Sequence, residues 1–330
     1  MKIVIVSIIC LIIIVLIVVG CVNYIGISKK QASQNLKAYL DREYPGELTY
    51  SDLKRFFNAA TKDPNIFGVL IYNKEIPEIE FYTYINAKYI LEDDTLPLYA
   101  KSDSVTFEDL YQEAVKRYKT RQTIKADFKK DIPEIEFTTD TIHLIFEEDL
   151  TPEVLEPLLT RFVKRLNQSY EDLDSIFKYR LLIKTPEHPD GFIDISLESD
   201  GYQWHAQPIT LSENCNNFED FKTLIEAAIQ AKLDTAYPHF KINDYRKLYL
   251  DKTTLSKGAW VEYLDDKNVD NTLDGIWVNP QKGIYIVYFD LQTQFIYRGE
   301  MLTEDSDKMT YNERVAKINE ALAAEGLTIN

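Results

Sequence analysis

The hydrophobic pattern of this 330-residue chain changes character near residue 28. Ile3 to Val22 is an uncharged, apolar run of about 20 residues. As a helix rising about 1.5 Å per residue, it would span the roughly 30 Å hydrocarbon core of a bilayer. Beyond it the apolar positions become periodic. In SKKQASQNLKAYLDREY, Ala32, Leu36, Tyr39 and Leu40 recur at helical spacing, and Pro45-Gly46 ends the segment. LTYSDLKRFFNAATKDPN fits either a helix or an aromatic-rich strand. FGVLIYN (67–73) and EIEFYTYIN (78–86) alternate and predict two strands joined by a short polar turn. In the second of these, Ile79, Phe81 and Thr83 share one face, and Glu80, Tyr82 and Tyr84 share the other. Leu110, Ala114, Val115 and Tyr118 predict another helix, opened by Thr106 with Asp109 three places on, a variant of the capping box. TIKADFKKD (123–131) then reads as a modest strand.

The rest of the chain continues in the same style. Residues 151–170 predict a helix in which Pro157 moves the start of the regular part to about Glu156. FKYRLLIKT, GFIDISLES and GYQWHAQPITL follow as strands, the last with His205 expected half-buried beside Trp204. FEDFKTLIEAAIQAKL (218–233) is an amphipathic helix. The strands YRKLYL, AWVEYL, GIWVN, GIYIVYFD and FIYRGEM lead to a last helix over about Tyr311 to Glu325, closed by Gly326. Helices interleaved with short-turned strands predict an α+β fold with antiparallel sheets. The expected organisation is a signal or anchor over 1–27, an α+β region over 28–150, and a second α+β region over 151–330 that is β-rich towards its end.

One peptide is written nearly twice: KEIPEIEFYT begins at Lys74 and KDIPEIEFTT at Lys130. LEDDTLP (91–97) follows the first and FEEDLTP (146–152) the second, which suggests an internal duplication of about 31–97 and 105–152. Pro77 and Pro133 lack an amide donor and suit a strand's first residue. Glu78 and Glu80, like Glu134 and Glu136, alternate onto a solvated face, a placement that needs no ligand.

Charge narrows the partners. The net charge is −16 with a pI near 4.8, and no Lys/Arg cluster stands out, which excludes a nucleic-acid binder and fits a basic partner or plain solubility. At the N-terminus, Val18-Val19-Gly20-Cys21 resembles the lipobox of bacterial lipoprotein signals. That resemblance implies removal of the signal and lipidation of Cys21 as the first mature residue. The apolar stretch exceeds the usual signal core of about 7–15 residues, so an uncleaved single-span anchor is the competing reading. Lys2 on one side and Lys29 and Lys30 on the other do not orient such a span. Either way a membrane holds one end, and the body is expected outside the cytoplasm, in the periplasm or at the cell surface; an uncleaved anchor whose two-residue tail crosses would instead leave it in the cytoplasm.

Candidate chemistry is sparse. Neither G-x-x-x-x-G-K nor G-x-G-x-x-G occurs, which argues against the common nucleotide sites. The four histidines, His143, His188, His205 and His239, lack the i, i+4 spacing of a helical zinc site, and Glu187-His188-Pro189-Asp190-Gly191 reads as a turn. Cys215 is the one cysteine outside the apolar segment and has no local base. DDKNVDNTLDG (265–275) resembles the first part of a calcium loop, with Asp266, Asn268, Asp270 and Asp274 as the metal ligands. Asn271 replaces its glycine, however, and Trp277 stands where the final bidentate glutamate belongs. No other cofactor is expected. The 22 tyrosines concentrate in strands such as YTYINAKY (82–89) and IYIVYF (284–289), which β propensity alone explains and which is also a composition favoured at binding surfaces. The expected function is non-enzymatic: binding a macromolecular partner in envelope assembly, as an inhibitor, or as an immunity-type protein. The alternative is a carboxylate- or calcium-dependent hydrolase acting on envelope polymers. Converging acids in a deep cleft would favour the enzyme, a broad tyrosine face the binder.

Overall fold

The computed structural model describes residues 26–56, 63–97, 105–173, 178–269 and 279–329. It is a mixed α+β structure with antiparallel sheets and, among the described residues, five helices of 14 residues or more. The apolar N-terminal segment with Cys21, the predicted strand GIWVN apart from Asn279, and Asp270 and Asp274 lie outside the described residues. Among the described residues, no helix is long and apolar enough to cross a membrane. The chain divides into two compact units, one ending at Gln122 and the other starting at Thr123, so residue 150 falls inside the second unit.

In the first unit, helix α1 (Lys29–Glu43) starts at Ser28, whose hydroxyl accepts the amide of Gln31 at 3.1 Å. It buries Ala32, Leu36, Tyr39 and Leu40, the positions its period predicts. Strands β1 (Leu48–Tyr50), β2 (Lys54–Arg55), β3 (Ile66–Asn73) and β4 (Glu80–Asn86) form one antiparallel sheet. β3 is central, with β4 along one edge and β1 and β2 sharing the other. Val69, Ile71, Phe81 and Ile85 face inward onto α1 residues and onto Phe107, Tyr111 and Ala114, which open helix α2 (Phe107–Phe128). The predicted cap of α2 forms: Asp109 accepts the Thr106 amide at 2.8 Å, and Thr106 Oγ1 accepts the Asp109 amide at 3.2 Å.

The stretch predicted as a strand at 123–131 is instead the last part of α2 to Phe128. Ile124 and Phe128, four residues apart, are both buried, so a helical stripe outweighs the β-branched residues' local preference. This also changes the meaning of the repeated decapeptide. Its first copy turns the β3–β4 hairpin, where Asn73 Oδ1 accepts the amides of Glu75 and Ile76 at 2.9 and 3.0 Å. Its second copy links a helix to β5 (Glu134–Phe137), which pairs with β6 (Thr141–Ile145). The two copies share a strand entry and an exposed glutamate face, and they stand at different junctions.

The second unit is built on one ten-stranded sheet in the order β14-β13-β12-β11-β10-β8-β7-β6-β5, with β9 beside β8. The strands are β7 (Lys178–Lys184), β8 (Ile193–Ser199), β9 (Trp204–Ala206), β10 (Thr210–Leu211), β11 (Phe240–Leu250), β12 (Lys257–Asp266), β13 (Gln281–Asp290) and β14 (Phe295–Thr303). One pair departs from the antiparallel expectation: β6 and β7 run parallel, joined through helix α3 (Pro152–Asn167) and the one-turn α4 (Tyr170–Leu173). α3 begins at Pro152, not near Glu156; Pro152 stands at the first helical position, where a missing amide is tolerated, and Pro157 lies inside the helix and removes the amide that would bond the Glu153 carbonyl. Its Leu155, Leu158, Phe162 and Leu166 cover Leu144, Leu181 and Ile195.

Helices α5 (Phe218–Ala236) and α6 (Tyr311–Ala324) pack on opposite faces of β12 and β13. Phe221, Ile225 and Ile229 of α5 meet Trp260, Val287 and Phe289; Ile318 and Leu322 of α6 meet Val261, Ile286 and Tyr288. The tyrosines of IYIVYF are therefore core residues, contrary to the expectation of a tyrosine-rich binding face there. A continuous apolar run marks a strand covered on both sides, and its tyrosines follow it inward. Tyr288 satisfies its hydroxyl by donating to the Ala321 carbonyl at 3.2 Å.

Candidate functional site

Two surfaces carry groups that are not spent on the cores. The first lies in the first unit, on the face of the β1–β4 sheet opposite α1. Alternation sends Leu70 and Tyr72 of β3, and Tyr82 and Tyr84 of β4, to this face. Tyr82 is 49% exposed and meets Tyr84 edge-on at 5.4 Å, while Phe56 lies 4.5 Å from Tyr84. Gly68, opposite Tyr84 in the ladder, has no side chain, and a Cβ there would collide with the hydroxyl end of Tyr82. The ring of Tyr82 is thus laid across the strand by a glycine slot. Replacing Gly68 with alanine is expected to displace that ring, read as a changed Tyr82 environment by NMR with little loss of overall helix content by circular dichroism.

The second surface is a cleft of about 580 Å³ in the second unit. It lies where the turn after Thr185, the loop before α5, the β11–β12 connection and the β13–β14 turn converge. Three non-glycine residues with left-handed backbone occur among the described residues, Asn217, Leu255 and Gln294, and all three line this cleft. Such conformations cost about 1–2 kcal/mol per residue and gather where the surrounding structure imposes them. Asn217 opens α5 with no side-chain bond to the helix. His188 stacks on Phe192 at 4.7 Å and 11°. Its Nδ1 accepts the Asn216 amide at 3.1 Å, and burial pushes the imidazole below its ordinary value. The ring is therefore neutral at pH 7, with its hydrogen on Nε2. Cys215 lines the same cleft, but burial pushes its thiol up to about 11, the opposite of what a nucleophile needs. Gln294→Gly is expected to raise stability by about 0.5–1 kcal/mol by relieving the left-handed backbone, measured as a shift of the chemical denaturation midpoint.

A further cavity of about 710 Å³ contains acids, and arginines occupy two of them. Arg180 pairs with Asp194, and Arg246 Nη2 donates to Glu213 Oε1 at 2.9 Å. Of the residues singled out in the sequence, Asp266 accepts the Asn268 amide at 2.9 Å and pairs with Lys282 at 3.2 Å. These contacts hold its carboxyl below the usual range, the Asn268 amide being the largest influence. The other two proposed calcium ligands, Asp270 and Asp274, lie outside the described residues, among which no group of three or more His, Cys, Asp or Glu could hold a metal.

The histidines stand apart from one another. His143 sits 3.7 Å from Glu136, and His239 3.5 Å from Glu304. His205 is exposed, not half-buried: strand alternation gives the buried side to Trp204, and His205 turns out to Asp200 at 2.9 Å. That bond above all pushes the Asp200 carboxyl down to about 2. The cleft is not legible in the sequence because its residues come from five separate segments. Two local signals pointed to it, the Asn-rich ENCNN before α5 and the Glu187-His188 turn.

No family of known proteins matches the chain, and no curated protein is similar to it. Among solved structures, the C-terminal domain of YpeB from Bacillus megaterium aligns over 83% of this chain and 97% of its own length, at 10% identity and a TM-score of 0.14. A likeness of that size carries no weight for fold or function.

Proposed function

We propose that this chain is a binding protein tethered to a membrane by its first residues, with its body outside the cytoplasm, and that the sheet face around Tyr82 engages a protein partner in the envelope. The observation that carries the reading is the exposed Tyr82 ring, set among Leu70, Tyr72 and Tyr84 on one face of the sheet. Large, stiff aromatic side chains bring contact area at small conformational cost, which is why they anchor interfaces. The net charge of −16 favours a partner that surrounds an apolar centre with lysine and arginine. The hydrolase alternative draws less support, because Asp194 and Glu213 are held by arginines instead of converging as a free pair.

The partner face is tested by placing a photo-crosslinking residue at position 82 and, as control, at the exposed Tyr202, in intact cells. One adduct of defined mass at 82 is expected, lost in a Tyr84→Ala background and absent at 202. Equal labelling at both positions, or none at 82, refutes the face. Once the partner is in hand, Tyr82→Ala is expected to weaken binding about tenfold or more. The tether is tested separately by mass spectrometry of the membrane-derived N-terminus. A diacylglyceryl group on Cys21 supports the lipoprotein form, an intact Met1 in the membrane fraction supports the uncleaved anchor, and a wholly soluble product rejects both.

A further inference from the structure

We infer that the cleft of the second unit binds a neutral saccharide, a mono- or disaccharide or the end of a longer glycan, through the amides of Asn217, Gln292 and Gln294, the hydroxyl of Ser256, and the aromatic pair His188–Phe192. The ligand class follows from what the lining offers and what it lacks. The side chains of Asn217, Ser256, Gln292 and Gln294 make no hydrogen bond among the described residues, although the cleft walls bring them together. Each amide both donates and accepts, which is the pairing a ring of hydroxyls requires. His188 adds an Nε2 donor of fixed tautomer, because its Nδ1 is occupied by the Asn216 amide. The stacked His188–Phe192 pair adds a flat aromatic wall against which the C–H face of a pyranose packs.

Other ligand classes fit worse. Lysine and arginine do not occur in the lining, so a phosphate or carboxylate would find no counter-charge beside Asp149 and Glu187. Those two acids fall short of the oxygen ligands a calcium ion takes. A purely apolar guest would strip water from the amides without replacing its bonds. The cleft volume of about 580 Å³ lies in the usual range for small-molecule sites, about 300–1,000 Å³. The left-handed backbones at Asn217 and Gln294 place two of the three amides, so the strained positions and the uncommitted donors coincide.

The inference concerns a different unit from the Tyr82 face and stands or falls apart from it. It is tested on the full chain in a sugar-free detergent by saturation-transfer NMR, with diacetylchitobiose, cellobiose and maltose as probes and inorganic phosphate and a glycine tripeptide as controls. A response from at least one saccharide is expected, with a Kd of about 1 mM or tighter. The double variant Asn217→Gly, Gln294→Gly removes two amides at positions where glycine is conformationally favoured. It should keep or raise the unfolding midpoint while weakening saccharide binding about tenfold or more. Gln292→Ala provides an independent second reading. No saccharide response up to about 10 mM, undiminished binding in both variants, or a stronger response to phosphate or peptide overturns the assignment.

Discussion

Replacing Glu262 with glutamine is expected to stabilise the second unit, and by more at pH 9 than at pH 5. Glu262 lies on β12, fully buried on the face that α5 covers, between Trp260 and Leu264. Opposite it β11 bulges: Ile242 pairs with Leu264 and Arg246 with Glu262, so three β11 residues face Tyr263 alone. One carboxylate oxygen accepts the Trp260 indole N–H at 2.6 Å, while the other has no partner, and neither has the Nε of Arg246. Burial pushes the carboxyl up to about 8. The Trp260 bond and Arg246 work against that shift, and Glu226 on α5 and Asp244 on β11 add to it.

The unfolded group titrates near its ordinary 4.5, so between that value and about 8 the folded chain holds a proton that the unfolded chain has released. The contribution of Glu262 to stability is therefore complete below 4.5 and lost as pH rises through about 8. The gap sets an upper bound of about 5 kcal/mol at high pH. Allowing for an amide hydrogen left without a partner, Glu262→Gln should gain on the order of 2 kcal/mol at pH 8. Urea unfolding followed by tryptophan fluorescence at pH 5, 7 and 9 checks this. Parallel pH profiles for the two proteins would show that the buried carboxyl does not titrate in this window.

Asp251→Ala should cost about 3 kcal/mol and free the end of the chain. Asp251 follows β11 and is almost wholly buried. Its carboxylate accepts the Thr328 amide at 2.9 Å and the hydroxyls of Thr253 and Thr254 at 2.8 Å each. The Lys252 amide adds a bond of 2.8 Å to the Thr328 carbonyl, and Leu327 and Ile329 are buried beside it. Burial alone would raise this carboxyl; the bonds from Thr328, Thr253 and Thr254 outweigh it and hold it below its ordinary 3.8. The stabilisation is thus present above pH 3.8 and lost as pH falls through the lower folded value. Hydrogen exchange at the Thr328 amide is the local readout: it should speed up in Asp251→Ala well before global unfolding. Unchanged protection there would remove the role assigned to the carboxylate. Asp251 also anchors the turn that carries Thr254, Leu255 and Ser256 into the cleft, so the same variant should weaken any ligand held there.

Much of the local structure was legible because short-range periodicity encodes it. Ala32, Leu36, Tyr39 and Leu40 on α1, and the Ile79-Phe81-Thr83 face entering β4, are buried as their spacing requires. The Thr106–Asp109 cap forms from residues three apart. The α+β character with antiparallel sheets followed from the same patterns. Where prediction went wrong, a longer-range term decided. Thr123–Phe128 stays helical because Ile124 and Phe128 have a core to enter. Tyr285 and Tyr288 are buried because helices more than 20 residues away in sequence cover both faces of their strand.

The sequence by itself determined most of the elements, the net charge of −16 and the alternation that exposes Tyr82. Tertiary structure alone decided the parallel β6–β7 pair, the burial of Glu262, and the gathering of Asn217, Ser256 and Gln294 around His188. A strand or helix is specified by neighbours within a few residues, whereas these features depend on which surfaces a hundred residues of chain bring together, and no local period records that choice.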